Sequence, residues 1–102
     1  MAKLVKITEL NQLPPGSALA RDVEGKRIAV FNVGGTFYAI DDTCPHSGGP
    51  LSEGEVAEGK VTCPWHAAEF SLKTGEVLSP PAFEGVQSYK VVVEGNDVKI
   101  EV

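Results

Sequence analysis

Short apolar runs, separated by glycine and proline, make up the hydrophobic pattern of this 102-residue chain. No stretch of ten or more residues keeps a sustained helical period, and short runs bounded by turn residues are typical of β-strands. The pattern predicts an all-β fold class. Nine strands are expected, at residues 4–8, 17–23, 27–33, 36–40, 59–63, 69–72, 76–78, 86–94 and 97–102.

Turn signals connect several of these strands. Gly34 and Gly35 stand between two apolar runs, where a two-residue hairpin turn requires positive φ at both positions. The segment VEGNDVKI repeats the arrangement near the C-terminus. The segment ELNQLPPG is expected to form one helical turn, which Pro14 and Pro15 end because proline cannot continue a helix.

Length and charge limit the classes of function that are open. A chain of this size is expected to form one domain, residues 1–102. Its net charge of −5 argues against a nucleic-acid partner, which would require a basic surface. The acidic surface suits either docking on a basic protein patch or plain solvation. No signal peptide and no apolar stretch of about 20 residues occurs, so a cytoplasmic protein without a membrane partner is expected.

Two short segments, TCPHSGGPLS and TCPWHAAEFS, contain both cysteines and both histidines of the chain. The candidate site residues are therefore Cys44, His46, Cys63 and His66. Thiolate and imidazole groups in two tight pairs indicate metal binding. The alternative is that the cysteines are small buried apolar residues and the histidines lie on the surface.

The spacing of the four residues bears on the kind of metal site. Structural zinc sites usually take two ligands of one type from one loop, whereas each segment here supplies one cysteine and one histidine. Only one residue separates Cys44 from His46. This short spacing makes it unfavourable for both side chains to bind the same tetrahedral ion. The spacing favours two neighbouring metals, with both thiolates on one and both imidazoles on the other.

The pattern C-x-H followed by C-x-x-H resembles the Rieske [2Fe–2S] family, in which two histidines replace two cysteines on one iron. The resemblance implies a β-sandwich base domain with a small cluster-binding subdomain of two loops, at about residues 42–82. It also implies that Cys44 and Cys63 hold the inner iron, while His46 and His66 hold the outer one. The segment SPPA at residues 79–82 corresponds to a third, proline-bearing loop of the family, or simply ends a strand.

This chain lacks several residues that respiratory members of the family carry near the cluster, and their absence indicates the subgroup with a low midpoint potential. Respiratory members carry a disulfide-bonded cysteine in each loop, at the positions of Gly49 and Trp65. They also carry serine and tyrosine hydroxyls that hydrogen-bond to sulfur, at the positions of Ala68 and Phe70. Without those donors the added electron is less stabilised, and the midpoint potential should be lower. The sequence resembles the Rieske ferredoxins of bacterial oxygenase systems that hydroxylate aromatic rings.

The resemblance implies a one-electron carrier and not an enzyme. Its expected partners are an NAD(P)H-dependent flavoprotein reductase and a terminal oxygenase, which would dock transiently at the end that carries His46 and His66. A small Rieske-type subunit of an assimilatory nitrite reductase is one alternative. A structural zinc module for protein interaction is another. Trp65 and Leu51 are expected to shield the metal site, and the acidic segment that contains Glu53, Glu55 and Glu58 is expected to be a solvated loop.

Overall fold

The computed structural model describes residues 3–43, 50–65, 68–79 and 85–102. Within these ranges the chain forms eleven β-strands and two short 3₁₀ helices, Leu10–Gln12 and Leu51–Glu53. The strands are β1 (Leu4–Glu9), β2 (Ala18–Val23), β3 (Lys26–Val33), β4 (Thr36–Asp41), β5 (Glu55–Ala57), β6 (Lys60–Thr62), β7 (Glu69–Ser71), β8 (Val77–Ser79), β9 (Ser88–Tyr89), β10 (Val91–Glu94) and β11 (Asp97–Glu101). No described helix is long and apolar enough to cross a membrane.

The strands pair in three antiparallel sheets. One sheet has the order β1-β11-β10, the second has the order β2-β3-β4-β9, and the third has the order β5-β6-β7-β8. The third sheet, called the small sheet below, is built from strands of three residues each. It lies between residues 55 and 79, inside the segment of about 42–82 that the sequence assigns to a subdomain; those subdomain limits stay a prediction.

Strand β3 belongs to both halves of the hydrophobic core, because its side chains alternate between the two faces of the second sheet. Ile28 and Val30 pack with Val98 and Ile100 of the three-stranded sheet. The intervening Phe31 packs in a second cluster with residues of the small sheet and its flanking loops, Val61, Cys63, Ala68, Phe70 and Leu72. Burial on both faces explains why IAVF reads as a continuous apolar run and not as an alternating one.

The all-β prediction is confirmed, and most strand bounds differ from those predicted by one residue. The turn at Gly34 and Gly35 is also confirmed, since their φ angles are +61° and +97° and the flanking Val33 and Thr36 are paired. The helical turn predicted before Pro14 is present as the first 3₁₀ helix.

Two expectations about strands were wrong. The single strand predicted at residues 86–94 is two strands in different sheets: Tyr89 pairs with Ala39, whereas Val91 pairs with Ile100. The chain changes sheet at Lys90, whose carbonyl accepts a hydrogen bond from the Glu101 N–H at 2.9 Å. The segment expected to be a solvated acidic loop contains β5, which pairs with β6 through three residues.

Candidate metal centre

Of the four predicted ligands, the structure describes Cys63. Cys44, His46 and His66 lie outside the described residues, as do Gly49 and the prolines at 80 and 81. Cys63 directly follows β6 and is 2% exposed. It belongs to the apolar cluster that also contains Leu51, Ala68 and Phe70. A thiol at this position is shielded from water by the core of the protein.

The second Cys–His segment leaves and re-enters the small sheet at one point. Thr62 is paired with Glu69 across β6 and β7, and the Cys63 N–H donates to the Ala68 carbonyl at 2.7 Å. The strands β6 and β7 therefore form a hairpin, and this backbone hydrogen bond closes the base of its connection. This bond fixes the backbone of Cys63 at the base of the second Cys–His segment.

The first Cys–His segment is closed at its base in a similar way. Thr43 and Pro50 form an isolated antiparallel bridge, and the Leu51 N–H donates to the Asp42 carbonyl at 2.6 Å. Residues 44–49 lie between these two contacts. The segment thus begins at the end of β4 and ends at the second 3₁₀ helix.

The register of the small sheet brings the bases of the predicted loops to one end of it. Four residues form a row across its strands: Glu55, Thr62, Glu69 and Ser79. The first segment leads through the 3₁₀ helix to Glu55, the second joins Thr62 to Glu69, and the proline-bearing segment starts after Ser79. This arrangement supports a common site for the two Cys–His segments, although the assignment of all four ligands stays a prediction.

Asp42 anchors the first segment with a buried carboxylate. Its side chain is 2% exposed, and its Oδ1 accepts a hydrogen bond from the Ser52 N–H at 2.7 Å. Its Oδ2 lies 3.3 Å from Nε of Arg27 on β3, and the Asp42 N–H donates to the Arg27 carbonyl at 2.9 Å. Asp42, the residue before the segment, is therefore tied to the last residue of the segment and to the central sheet.

The neighbouring Asp41 makes a second set of contacts, with the chain that follows residues 80–84. Its Oδ1 accepts a hydrogen bond from the Tyr89 hydroxyl at 2.7 Å, and its Oδ2 accepts one from the Gln87 N–H at 3.1 Å. Burial, and then the hydrogen bond to Asp41 and its negative charge, raise the pKa of Tyr89 well above its ordinary value. The phenol therefore stays protonated and keeps donating to Asp41.

Sequence patterns did not reveal these anchors. Asp41 and Asp42 come directly before Thr-Cys-Pro. The available signal for these anchors was this pair of carboxylates between a strand and a ligand loop. The expectation for Leu51 agrees with its complete burial. Shielding by Trp65 stays a prediction; its side chain is 59% exposed and lies outside the described apolar cluster.

Comparisons with known proteins agree with the sequence motif. The family of the Rieske [2Fe-2S] domain matches residues 3–90. The 3-phenylpropionate/cinnamic acid dioxygenase ferredoxin subunit of Escherichia coli (strain K12) is 48% identical over 90 residues, which cover 87% of this chain and 84% of that protein. The match extends over most of both chains, so it concerns the whole domain.

Two solved structures have the same fold. The ferredoxin of carbazole 1,9a-dioxygenase from Nocardioides aromaticivorans IC177 has a TM-score of 0.90 and 32% identity, with 95% of each chain covered. A chain of the complex of reduced oxygenase and oxidised ferredoxin in carbazole 1,9a-dioxygenase has a TM-score of 0.87 and 31% identity, with 95% of this chain and 91% of that chain covered.

Proposed function

Since this chain belongs to the Rieske [2Fe–2S] domain family, we propose that it is a one-electron carrier that passes electrons from an NAD(P)H-dependent flavoprotein reductase to a terminal oxygenase. Its similarity to ferredoxin subunits of aromatic dioxygenases supports this role. So does the solved complex in which a similar ferredoxin is bound to its oxygenase. The two-histidine content of the chain leaves none for the mononuclear iron of an oxygenase, so the chain acts as a carrier without a reaction of its own.

The residues fit one Rieske cluster. Cys44 and Cys63 would hold one iron through their thiolates, and His46 and His66 would hold the other through ring nitrogens. The observation that carries the proposal is Cys63, a buried thiol at the closed base of a hairpin and in contact with an apolar cluster. When bound, the cluster supplies a centre that takes up and releases single electrons.

The apolar residues around Cys63 influence the midpoint potential of a bound cluster. Leu51, Ala68 and Phe70 are each 0% exposed, so their side chains exclude water from that side of the site. Ala68 and Phe70 carry no hydroxyl that could donate to sulfur. An added negative charge is therefore less stabilised, and we expect a midpoint potential in the low part of the family's range.

Partners would dock at the end of the domain that is predicted to carry His46 and His66. Trp65, next to His66 in the sequence, offers a large exposed ring, and such rings are common anchors in protein interfaces. Glu55 is exposed at the same end of the small sheet. Together with the net charge of −5, this carboxylate favours a partner with a basic rim around the docking site. A cytoplasmic location, as the sequence predicts, is part of this proposal.

Electron paramagnetic resonance (EPR) of the protein reduced with dithionite tests the proposal. A rhombic signal with nitrogen hyperfine coupling is expected, and each of Cys44→Ala, His46→Ala, Cys63→Ala and His66→Ala should abolish it. Trp65→Phe, which changes a neighbour of His66, is the matched control and should keep the signal.

Three results would overturn the proposal. Iron-replete protein without this signal, or a colourless zinc protein, would exclude the electron carrier. A stable complex with a large sirohaem-type subunit on purification would favour the nitrite reductase alternative.

A further inference from the structure

We propose that Asp42 is a positioning residue that holds the first ligand segment in the geometry the cluster requires. This inference rests on the proposed function, because it assumes that Cys44 and His46 are ligands. It adds a residue that is not itself a ligand.

Asp42 joins the two sides of the first segment at its base. It precedes Cys44 by two residues, and its carboxylate reaches across the base of the segment to the Ser52 N–H at 2.7 Å. Its carbonyl accepts from the Leu51 N–H at 2.6 Å. One residue therefore binds both of the first two residues of the 3₁₀ helix that follows the segment. These bonds add to the bridge between Thr43 and Pro50, so three contacts join the chain before residue 44 to the chain after residue 49.

Asp42 also connects the base of the first segment to the central sheet. The Asp42 N–H donates to the Arg27 carbonyl at 2.9 Å, and its Oδ2 lies 3.3 Å from Arg27 Nε. Arg27 lies on β3, whose side chains occupy both clusters of the core. The base of the first segment is thus attached to the strand whose Ala29 and Phe31 share an apolar cluster with the buried Cys63. A common reference of this kind keeps ligands from two separate segments in register.

The carboxylate of Asp42 is buried and has a partner at each oxygen. The Asp42 side chain is 2% exposed, whereas the Arg27 side chain is 53% exposed. A buried charge is tolerated where hydrogen bonds and an opposite charge compensate it. Both carboxylate oxygens of Asp42 have such partners, so the residue is held in one orientation. Its removal would free the segment's ends while the apolar clusters stay in place.

The experiment compares variants of the cluster-loaded protein. In Asp42→Ala, the cluster should be released to an iron chelator at least about ten-fold faster than in the wild type. Its EPR signal should broaden, because the ligands take up several arrangements. Asp42→Asn keeps an oxygen for the Ser52 N–H and should restore most of the wild-type behaviour. Asp22→Asn removes the other carboxylate on Arg27, at 3.3 Å from Nη1 and exposed, and should change neither readout.

Global unfolding is measured in parallel by far-ultraviolet circular dichroism, to separate positioning from general stability. Chelator release that accelerates only in proportion to unfolding would overturn the proposal. So would wild-type release with an unchanged EPR signal in Asp42→Ala. If Asp42→Ala does not fold, Arg27→Met decides by the same criteria, since it breaks the ion pair at an exposed side chain. A wild type without the rhombic signal would contradict the proposed function itself, and not the role of Asp42 alone.

Discussion

The hydroxyl of Tyr89 donates a hydrogen bond to Oδ1 of Asp41 at 2.7 Å, and the two residues are 48 positions apart in the sequence. Asp41 ends β4, two residues before the first Cys–His segment begins, and Tyr89 lies on β9, after the proline-bearing segment. The bond therefore ties together the chain on either side of the predicted metal centre.

Tyr89→Phe should change the dependence of stability on alkaline pH. The pKa of Tyr89 is raised in the folded protein, so above the ordinary tyrosine pKa of about 10 the unfolded chain loses its proton first. The stability that this protonated phenol contributes is complete below about pH 10 and falls as pH rises further. Tyr89→Phe should lose about 1.5 kcal/mol at neutral pH through the missing hydrogen bond. It should also show a shallower decline between about pH 10 and pH 12.

Urea unfolding midpoints at a series of pH values measure both effects. Tyr38→Phe is the matched control, because it removes one phenol from the unfolded chain at a different site. A decline in Tyr89→Phe as steep as in the wild type would contradict the role of Tyr89 in the alkaline transition.

Ala68→Ser and Phe70→Tyr should each raise the midpoint potential. Both positions are fully buried in the cluster that contains Cys63. A new hydroxyl there can donate to sulfur and stabilise the reduced state. A net hydrogen bond of about 1 kcal/mol corresponds to about 40 mV for a one-electron couple. Voltammetry of the purified variants measures the shift.

The same cluster offers matched controls for these hydroxyls. Ala29 and Phe31 lie in it on β3, and both are buried. Ala29→Ser and Phe31→Tyr bury the same groups away from the hairpin, so they should lower stability by about 1 to 3 kcal/mol and leave the potential unchanged. Equal potentials in Ala68→Ser, Phe70→Tyr and the wild type would contradict the hydrogen-bond explanation.

Gly75→Ala should be more destabilising than Gly59→Ala, although both glycines have a similar positive φ of 81° and 77°. At Gly59 an added Cβ meets no atom within 4 Å, so only backbone strain of about 1 to 2 kcal/mol is expected. At Gly75 the Cβ would collide with the Val86 carbonyl oxygen. The Val86 N–H donates to the Gly75 carbonyl at 2.7 Å, so the two backbone segments cannot separate freely. About 1 to 3 kcal/mol of further destabilisation is expected.

Thermal or urea unfolding of the two glycine variants measures that difference. Because Gly59 supplies the strain alone, the comparison isolates the collision with Val86. Equal losses of stability in the two variants would show that the close approach between Gly75 and Val86 has no energetic importance.

Trp65→Ala should weaken docking without altering the cluster. The exposed ring lies at the tip of the hairpin, so its removal costs little stability and takes away an anchor of about 1 to 2 kcal/mol or more. The rate of electron transfer to a purified terminal oxygenase should fall about ten-fold at low protein concentration. The EPR signal should stay unchanged.

Leu4→Ala is the control for Trp65→Ala. Leu4 is 45% exposed on β1, in the three-stranded sheet, so its truncation tests the loss of exposed apolar surface in general. An electron-transfer rate in Trp65→Ala equal to that of Leu4→Ala would exclude the ring as part of the docking surface.

Local signals in the sequence were sufficient for the class of fold and for the candidate ligands. Short apolar runs and a Gly-Gly turn depend on near neighbours in the chain, and both were recovered at Gly34 and Gly35. The grouping of two cysteines and two histidines is likewise a local pattern. It led to the family that the comparisons identify, because ligand chemistry constrains spacing over a few residues.

Long-range contacts decided the rest. The change of sheet at Lys90, the pairing of β5 and the exposure of Trp65 depend on which strands lie nearby, and that is not written in residue order. The same holds for Asp42, which reads as an ordinary polar residue at a strand end. Only the packing of β3 and the 3₁₀ helix around it makes it a buried anchor, since burial and hydrogen-bond partners are properties of the folded chain.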